Sequence, residues 1–290
     1  MSMVVRMQVA KTIGEIRGLV AQARAAAKTV GLMPTMGALH AGHISLIDAA
    51  RGRCGYVVVS IFVNPTQFGP TEDLNKYPRP FEKDLEVCEK HGVDAVFAPT
   101  VAQMYPRENL TWVNVERLTD RLCGQLRPGH FRGVATVCAK LFNIVCPDVA
   151  FFGQKDAQQA LVIRRMVADL NAPLEIVVCP TVREPDGLAT SSRNQYLSPG
   201  ERKDAAQIYK SLQQCRELIE AGQRDAELIR ARMREILQRV PSMSIEYVSL
   251  SDAETLEELQ DVRGRVLAAV AIRMKSARLI DNILVDTPAK

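Results

Sequence analysis

Ile13, Ile16, Leu19, Val20 and Ala23 recur at helical spacing behind Thr12 and Glu15. The Thr-x-x-Glu pair is a capping-box pattern, and together these positions predict a helix over 12–27. A short apolar stretch near 29–33 reads as a strand, and Ile44, Ile47 and Ala50 mark one face of a helix over 43–53. The run YVVVSIFV at 56–63 is β-branched almost throughout, as expected of a strand covered on both faces. The alternation continues with helix 79–91, strand 94–99, a shorter segment around TWVNVE, helix 133–145, strand 148–152, helix 157–170 and strand 174–180. This rhythm predicts an α/β fold, a parallel sheet with helices on both faces.

The pattern changes after about residue 187. Ser198-Pro199-Gly200-Glu201 sets a cap, a proline at the first helical position and an acid at the third, and opens a long helix. A second helix covers about 225–239, and strands follow at 244–250, 265–272 and 278–285. Helices followed by consecutive strands predict a smaller α+β domain, so the expected division is 1–187 and 188–290. Charges of alternating sign on the two helices read as solvated faces. There is no internal repeat and no low-complexity tract.

Composition narrows the function classes. A chain of 290 residues with 47% hydrophobic content accommodates one large domain or two ordinary ones. A formal charge of +4 suggests neither a nucleic-acid coat nor a membrane-surface protein, and is compatible with a small anionic substrate. The longest apolar run falls far short of the roughly 20 residues of a membrane span. Arg6, Lys11, Arg17, Arg24 and Lys28 against Glu15 alone would suit a transit peptide, but the capped helical face favours a folded helix. The seven cysteines contain no C-x-x-C pair, which predicts reduced, buried thiols in a cytosolic protein, with neither a zinc site nor a disulfide framework.

Five stretches carry candidate chemistry. MPTMGALHAGH at 33–43 joins a strand, two glycines and a helix start. Free N–H groups of a first helical turn and the helix dipole favour an anion there, and His40 and His43 add donors. The alternative is a pair of surface histidines; position after the first sheet strand favours function, because open α/β sheets bind ligands at the carboxyl ends of their strands. In FVNPTQFGPTEDLNKYPR, Gln67 is either an amide for gripping hydroxyls and carboxylates or a solvated turn residue. In FFGQKDAQQA, Gly153 suits close approach of a nucleotide, Lys155 a triphosphate, and Asp156 a ribose, a metal or a plain helix cap. DGLATSSRNQYLS offers Ser191, Ser192 and Arg193 as hydroxyls, backbone donors and a guanidinium fork, or else a polar linker. LRPGHFRG places Arg127, His130 and Arg132 around a Pro-Gly turn, as an anion clamp or a basic loop.

With PTMGALHAGH, FVNPTQFGPTEDLNKYPR, RPGHFRGVATV, FFGQKDAQQ and DGLATSSRNQYLS in this order, the chain resembles the pantoate–β-alanine ligase family. H-x-G-H alone marks only a wider nucleotidyltransferase-like superfamily. The resemblance implies a Rossmann-like N-terminal domain, a smaller C-terminal domain, a cytosolic homodimer, and joining of pantoate to β-alanine with ATP and Mg2+. It implies that Met36, Gly37, Ala38, Leu39, His40, Ala41, Gly42 and His43 form an ATP-phosphate loop, with His43 as proton donor. Gln67 would serve pantoate and β-alanine, and Gln159 pantoate. Gly153, Gln154, Lys155 and Asp156 would form a second ATP segment, Val182 a backbone contact to adenine, and Thr190, Ser191, Ser192 and Arg193 a third. Gln154 stands where many relatives carry Glu, and Thr190 where Leu or Met is frequent. Neither departure removes a charge that the chemistry needs.

The family's reaction activates the carboxylate as an acyl adenylate and then passes it to an amine. It needs no covalent enzyme intermediate, in keeping with the lack of a G-x-S-x-G elbow. His40, His43, Lys155 and Arg193 would act electrostatically, and Mg2+ would bridge phosphates without a dedicated protein cage. Arg127, His130 and Arg132 would guide pyrophosphate or the β-alanine carboxylate. The rival readings are a nucleotidyltransferase that stops at a nucleotidyl product, a class I tRNA synthetase and a nucleotide sensor. The short chain without an evident RNA domain speaks against the synthetase, and Gln67 and Gln159 against the sensor.

Overall fold

The computed structural model describes residues 6–70 and 72–287. The chain divides into two units. One runs through Asp120 and takes in Gly124–Gly153 and Gln158–Pro180; the other gathers Arg121–Cys123, Gln154–Ala157 and the chain from Thr181 onward.

In chain order the elements as far as Pro180 are β1 (Gln8–Ala10), α1 (Ile13–Ala25), β2 (Val30–Thr35), α2 (Ala41–Arg53), β3 (Tyr56–Ile61), α3 (Phe81–Lys90), β4 (Ala95–Phe97), α4 (Val101–Met104), α5 (Cys123–Leu126), α6 (His130–Val145), β5 (Val149–Gly153), α7 (Ala157–Asp169) and β6 (Glu175–Cys179). The six strands form one sheet in the order β1-β4-β3-β2-β5-β6, with every pairing parallel. Thr12 and Glu15 make the capping box of α1. Val57 and Val59 pack with Leu46, Ile47 and Ala50 of α2 and Cys88 of α3, while Val58 between them is equally buried, as required of a strand covered on both sides.

The strand order reverses beside β2. Its partner on one side, β3, follows directly through α2; its partner on the other, β5, follows only after the chain has built β4 and the helices beyond it. Ligands of open parallel sheets sit outside the carboxyl ends of strands at such a switch point. Pairing of β2 with β5 is confined to Gly31–Val149 and Leu32–Ala150, whereas its pairing with β3 runs on to Thr35. Pro34, which has no N–H to give, lies beyond the part of β2 that pairs with β5.

Three of the differences from the sequence expectation have a clear local cause. The edge strand β1 has no counterpart there, because three residues carry no period. The helix expected at 43 begins at Ala41, with His40 as its cap. The one expected at 133 begins at His130, because Gly129 adopts φ 80° and turns the chain directly into α6.

The second unit contains α8 (Pro199–Glu220), α9 (Ala226–Gln238), β7 (Ser244–Asp252), β8 (Arg265–Arg273) and β9 (Arg278–Asp286), the strands forming an antiparallel sheet β7-β8-β9. Leu212 and Ile219 of α8, Ile229 and Met233 of α9, and Leu250, Val266 and Ile283 of the sheet share its core. Ser198 and Glu201 make the capping box of α8. Among the described residues, no helix is long and apolar enough to cross a membrane.

Candidate active site

The loop after β2 is held by its own unit. Gly37 and Ala38 take left-handed backbone conformations, φ 84° and 52°. This turn brings two successive N–H groups, those of Ala38 and Leu39, to one side. There Asp84 of α3 receives them: Oδ2 accepts from Ala38 N at 2.9 Å and Oδ1 from Leu39 N at 2.8 Å. A β-carbon on Gly37 would lie 2.8 Å from Asp84 Oδ2, so the approach requires glycine. Burial pushes the Asp84 carboxyl above its ordinary value, against the pull of the Leu39 and Ala38 N–H groups.

Four further N–H groups of the loop are engaged as well. Gly37 N donates to Thr35 Oγ1 at 2.7 Å, His40 N to His43 Nδ1 at 3.3 Å, Gly42 N to His40 Nδ1 at 3.2 Å and His43 N to His40 O at 2.8 Å. The sequence pattern leads to the expectation that N–H groups of this loop face a phosphate; in the structure those named here fasten the loop. The side chains that the loop can offer an anion are its imidazoles. Both Nδ1 atoms accept hydrogen bonds, so both rings carry their proton on Nε2. The ring centroids are 4.1 Å apart, tilted by 43°.

Gln67 lies in the 3-10 turn after β3 and is 8% exposed. Its amide is oriented on both sides: Nε2 donates to Met36 Sδ at 3.4 Å, and Oε1 accepts from Asn64 Nδ2 at 3.1 Å. Asn64, almost fully buried, also donates to Gly133 O at 3.2 Å and accepts from Tyr105 Oη at 3.0 Å. Gly133 of α6 approaches so closely that a β-carbon there would lie 2.4 Å from Thr66 O and 2.8 Å from Gln67 Cα.

The basic stretch 126–133 braces the same turn. Arg127 pairs with Glu72, Nε to Oε1 at 2.7 Å, and donates from Nη1 to His130 Nε2 at 3.0 Å. His130 Nδ1 donates to Gln67 O at 2.8 Å. Burial pushes the Glu72 carboxyl up, but the hydrogen bond and charge of Arg127 outweigh it and hold the group below its ordinary value. Arg132 stacks 4.6 Å over the Trp112 ring.

Gly153 ends β5 next to β2, and Gln159, half-buried, stands in the first turn of α7. Its neighbour Gln158 is buried and donates to Leu118 O at 2.8 Å. The first unit therefore brings loop 36–43, Gln67 and Gly153 to the carboxyl ends of β2, β3 and β5.

The sequence model of the family described as Pantoate-beta-alanine ligase matches residues 8–284. The chain belongs to that family. It is 54% identical over 280 residues to a pantothenate synthetase of Moorella thermoacetica, covering 97% of this chain and 99% of the relative. Its fold is similar to the crystal structure of pantothenate synthetase from Thermus thermophilus, with TM-score 0.91 and 47% identity, covering 96% of this chain and 99% of that one. A pantoate–β-alanine ligase from Francisella tularensis, complexed with beta-gamma ATP and beta-alanine, matches with TM-score 0.78 and 33% identity over 96% of this chain and 97% of that one.

The other ligase-type motifs fall in the second unit. Lys155 Nζ is 3.6 Å from Asp156 Oδ1. Thr190 N donates to Val182 O at 2.9 Å, tying the expected adenine contact to the start of the last motif. Ser191 Oγ accepts from Arg193 N at 3.3 Å and caps the 3-10 turn Ser192–Tyr196. Among the described residues, no three His, Cys, Asp or Glu side chains converge to hold a metal ion. Sequence reading missed Asp84, Asn64, Gly133 and Asn282, the last of which holds Gln154 and Lys155. Each looks like an ordinary helix, turn or strand residue, and no local spacing marks it.

Proposed function

We propose that the chain condenses pantoate with β-alanine at the expense of ATP, by way of a pantoyl adenylate. The observation that carries the reading is the full-length family match. The arrangement of loop 36–43 and Gly153 at the switch point of the sheet supports it. A carboxylate resists amines because its leaving group would be oxide. A pantoate carboxylate oxygen attacks the α-phosphorus, the bond to pyrophosphate breaks, and the mixed anhydride forms. The β-alanine amine then attacks the acyl carbon, AMP leaves, and the amine loses its proton.

Residue roles follow from chemistry. Gln67, held at both ends of its amide, and Gln159 grip pantoate, and Gln67 also receives β-alanine. His40 and His43 present Nε2–H groups to phosphate oxygens, and Lys155 and Arg193 neutralise the charge that develops on pyrophosphate. Backbone at Val182 meets adenine, and Thr190, Ser191 and Ser192 complete the ATP contacts. The donor set suits a magnesium ion carried on the phosphate oxygens and water, since Asp156 beside Lys155 is a single carboxylate. We assign the enzyme to the cytoplasm and to a homodimer on family resemblance.

Exchange of labelled pyrophosphate into ATP, measured with pantoate and without β-alanine, tests the reading. Pantoate-dependent exchange is expected, with AMP and amide accumulating once β-alanine is added. Exchange that ignores pantoate, or amide formation that releases ADP, refutes it.

A further inference from the structure

The segment carrying Lys155 is secured by a residue 127 positions further along the chain. Asn282, 5% exposed on β9, uses both ends of its amide there. Nδ2 donates to Gln154 O at 3.0 Å and to Lys155 O at 2.9 Å, and Oδ1 accepts from Gln154 Nε2 at 2.9 Å. The backbone of Asn282 is fixed in turn. Its N–H donates to Asp281 Oδ1 at 2.7 Å, and its carbonyl accepts from Arg183 Nη2 at 3.3 Å. Arg183 grips the buried Asp281 carboxylate with both Nη atoms and lies 3.9 Å over the Tyr209 ring.

β9 is an edge strand, and an edge normally leaves a row of unpaired N–H and C=O groups. Here the backbone at Asn282 is satisfied by Asp281 and Arg183, while its side-chain amide forms a clamp on Gln154 and Lys155. Among the described residues, the Asn282 amide bonds to the two residues of the Gln-Lys segment and to no other, so the clamp serves that segment alone.

We propose that Asn282 is a positioning residue for Lys155, setting the backbone from which the ammonium reaches the ATP phosphates. The proposal rests on the reading of Lys155 as a phosphate-binding group. It concerns where that group is held, and it makes the far C-terminal strand part of the ATP machinery. Two carbonyl anchors released together let the Lys155 backbone drift, and a misplacement on the order of 1 Å costs catalysis heavily.

Asn282→Ala, Lys155→Ala and Ile283→Ala are compared with the parent full-length enzyme by steady-state kinetics and thermal unfolding. Ile283, in the core of the same strand, supplies the baseline for lost stability alone. Asn282→Ala is expected to raise the KM for ATP about tenfold, about 1.4 kcal/mol, with the KM values for pantoate and β-alanine within about twofold of the parent. An unchanged KM for ATP in Asn282→Ala beside a crippled Lys155→Ala overturns the positioning role alone. Normal turnover and ATP affinity in Lys155→Ala overturn the reading of Lys155 itself and the proposal with it. Parallel drift of all three KM values, as in Ile283→Ala, reduces Asn282 to a packing residue and also overturns it. Should Asn282→Ala fail to fold, Asn282→Asp, of equal size but with an oxygen facing the two carbonyls, is judged by the same split. If neither folds, the proposal falls.

Discussion

Gly133→Ala should disable pantoate handling from a position that has no side chain to offer a substrate. The added methyl would lie 2.4 Å from Thr66 O, 2.7 Å from Thr66 C and 2.8 Å from Gln67 Cα. All three are backbone atoms, so no rotamer change relieves the contact. Restoring ordinary separation moves α6 and the Gln67 turn apart by about 1 Å, and a shift of that size at a reacting geometry costs on the order of 100-fold in kcat/KM. That corresponds to about 2.7 kcal/mol of transition-state stabilisation. Stability should respond less. Overpacking costs about 1–3 kcal/mol, and replacing glycine by alanine inside a helix returns up to about 1 kcal/mol. Separation also strains the bond from Asn64 Nδ2 to Gly133 O, which fixes the neighbour that orients the Gln67 amide. The assay is pantoate-dependent pyrophosphate exchange alongside urea unfolding. A folded variant with exchange within about threefold of the parent would refute the reasoning, because it would show that Gln67 does not need its backbone where α6 holds it.

Other expectations follow from the same contacts. His43→Ala should lose on the order of 10²–10³ in pantoate-dependent exchange if its Nε2–H meets a phosphate oxygen, and ordinary exchange rules that role out. Asp84→Asn turns one acceptor of the Ala38 and Leu39 N–H groups into a donor and should cost about 1–3 kcal/mol in urea unfolding, with a weakened KM for ATP. Because burial raises the folded carboxyl above the ordinary 3.8, the Asp84 proton stabilises the folded state fully below that value, and this contribution is lost as pH rises through the raised value. The stability advantage of the parent over Asp84→Asn should therefore shrink with rising pH across that window; a constant difference would contradict it. Arg183→Met strands the Asp281 carboxylate, 2% exposed at its side chain, and should destabilise the protein by on the order of 3–5 kcal/mol, read as the urea midpoint; a change under about 1 kcal/mol would show that the pair is not holding β9.

Much of this fold is legible where burial imposes a period. Val57, Val58 and Val59 announce a two-sided strand because both faces exclude water, and Thr12-Glu15 and Ser198-Glu201 announce helix starts because the reciprocal bonds fit only that spacing. The motifs likewise lead to the expectation that a ligand is met after β2 and β5. What stays hidden is whatever depends on a partner distant in the chain. Asp84 sits in a helix rich in charge and reads as one more solvated acid until α3 is packed under residues 38 and 39. His130 reads as a loop residue beside a Pro-Gly turn, because the left-handed Gly129 that makes it the first residue of α6 is visible only in the backbone angle. Asn282 interrupts an apolar alternation in RLIDNILV, and nothing local says that its amide closes on Gln154 and Lys155.

The engagement of the loop's N–H groups also reassigns the electrostatic work. A glycine loop leading into a helix usually binds phosphate through backbone donors, which tolerate side-chain change so long as the turn forms. In this loop the donors at Ala38 and Leu39 are occupied by a buried carboxylate, and those at His40 and Gly42 by the two histidines themselves. On the proposed reading, a triphosphate meeting this loop finds those four donors already taken, and Nε2 of the two rings, whose Nδ1 atoms are committed, becomes a principal source of hydrogen bonds. The arrangement fixes ring orientation and tautomer before the nucleotide binds, which is the preorganisation that makes a donor effective at a developing charge. It also makes the two imidazoles interdependent. Removing the His40 side chain frees Gly42 N–H, and removing that of His43 frees His40 N–H, so either loss turns a fastening donor outward. The double variant His40→Ala/His43→Ala should consequently be less impaired in pyrophosphate exchange than the product of the two single losses, since losing His43 unfastens His40 N–H and so already weakens the hold on the His40 ring; strict multiplicativity would show that the two rings act independently.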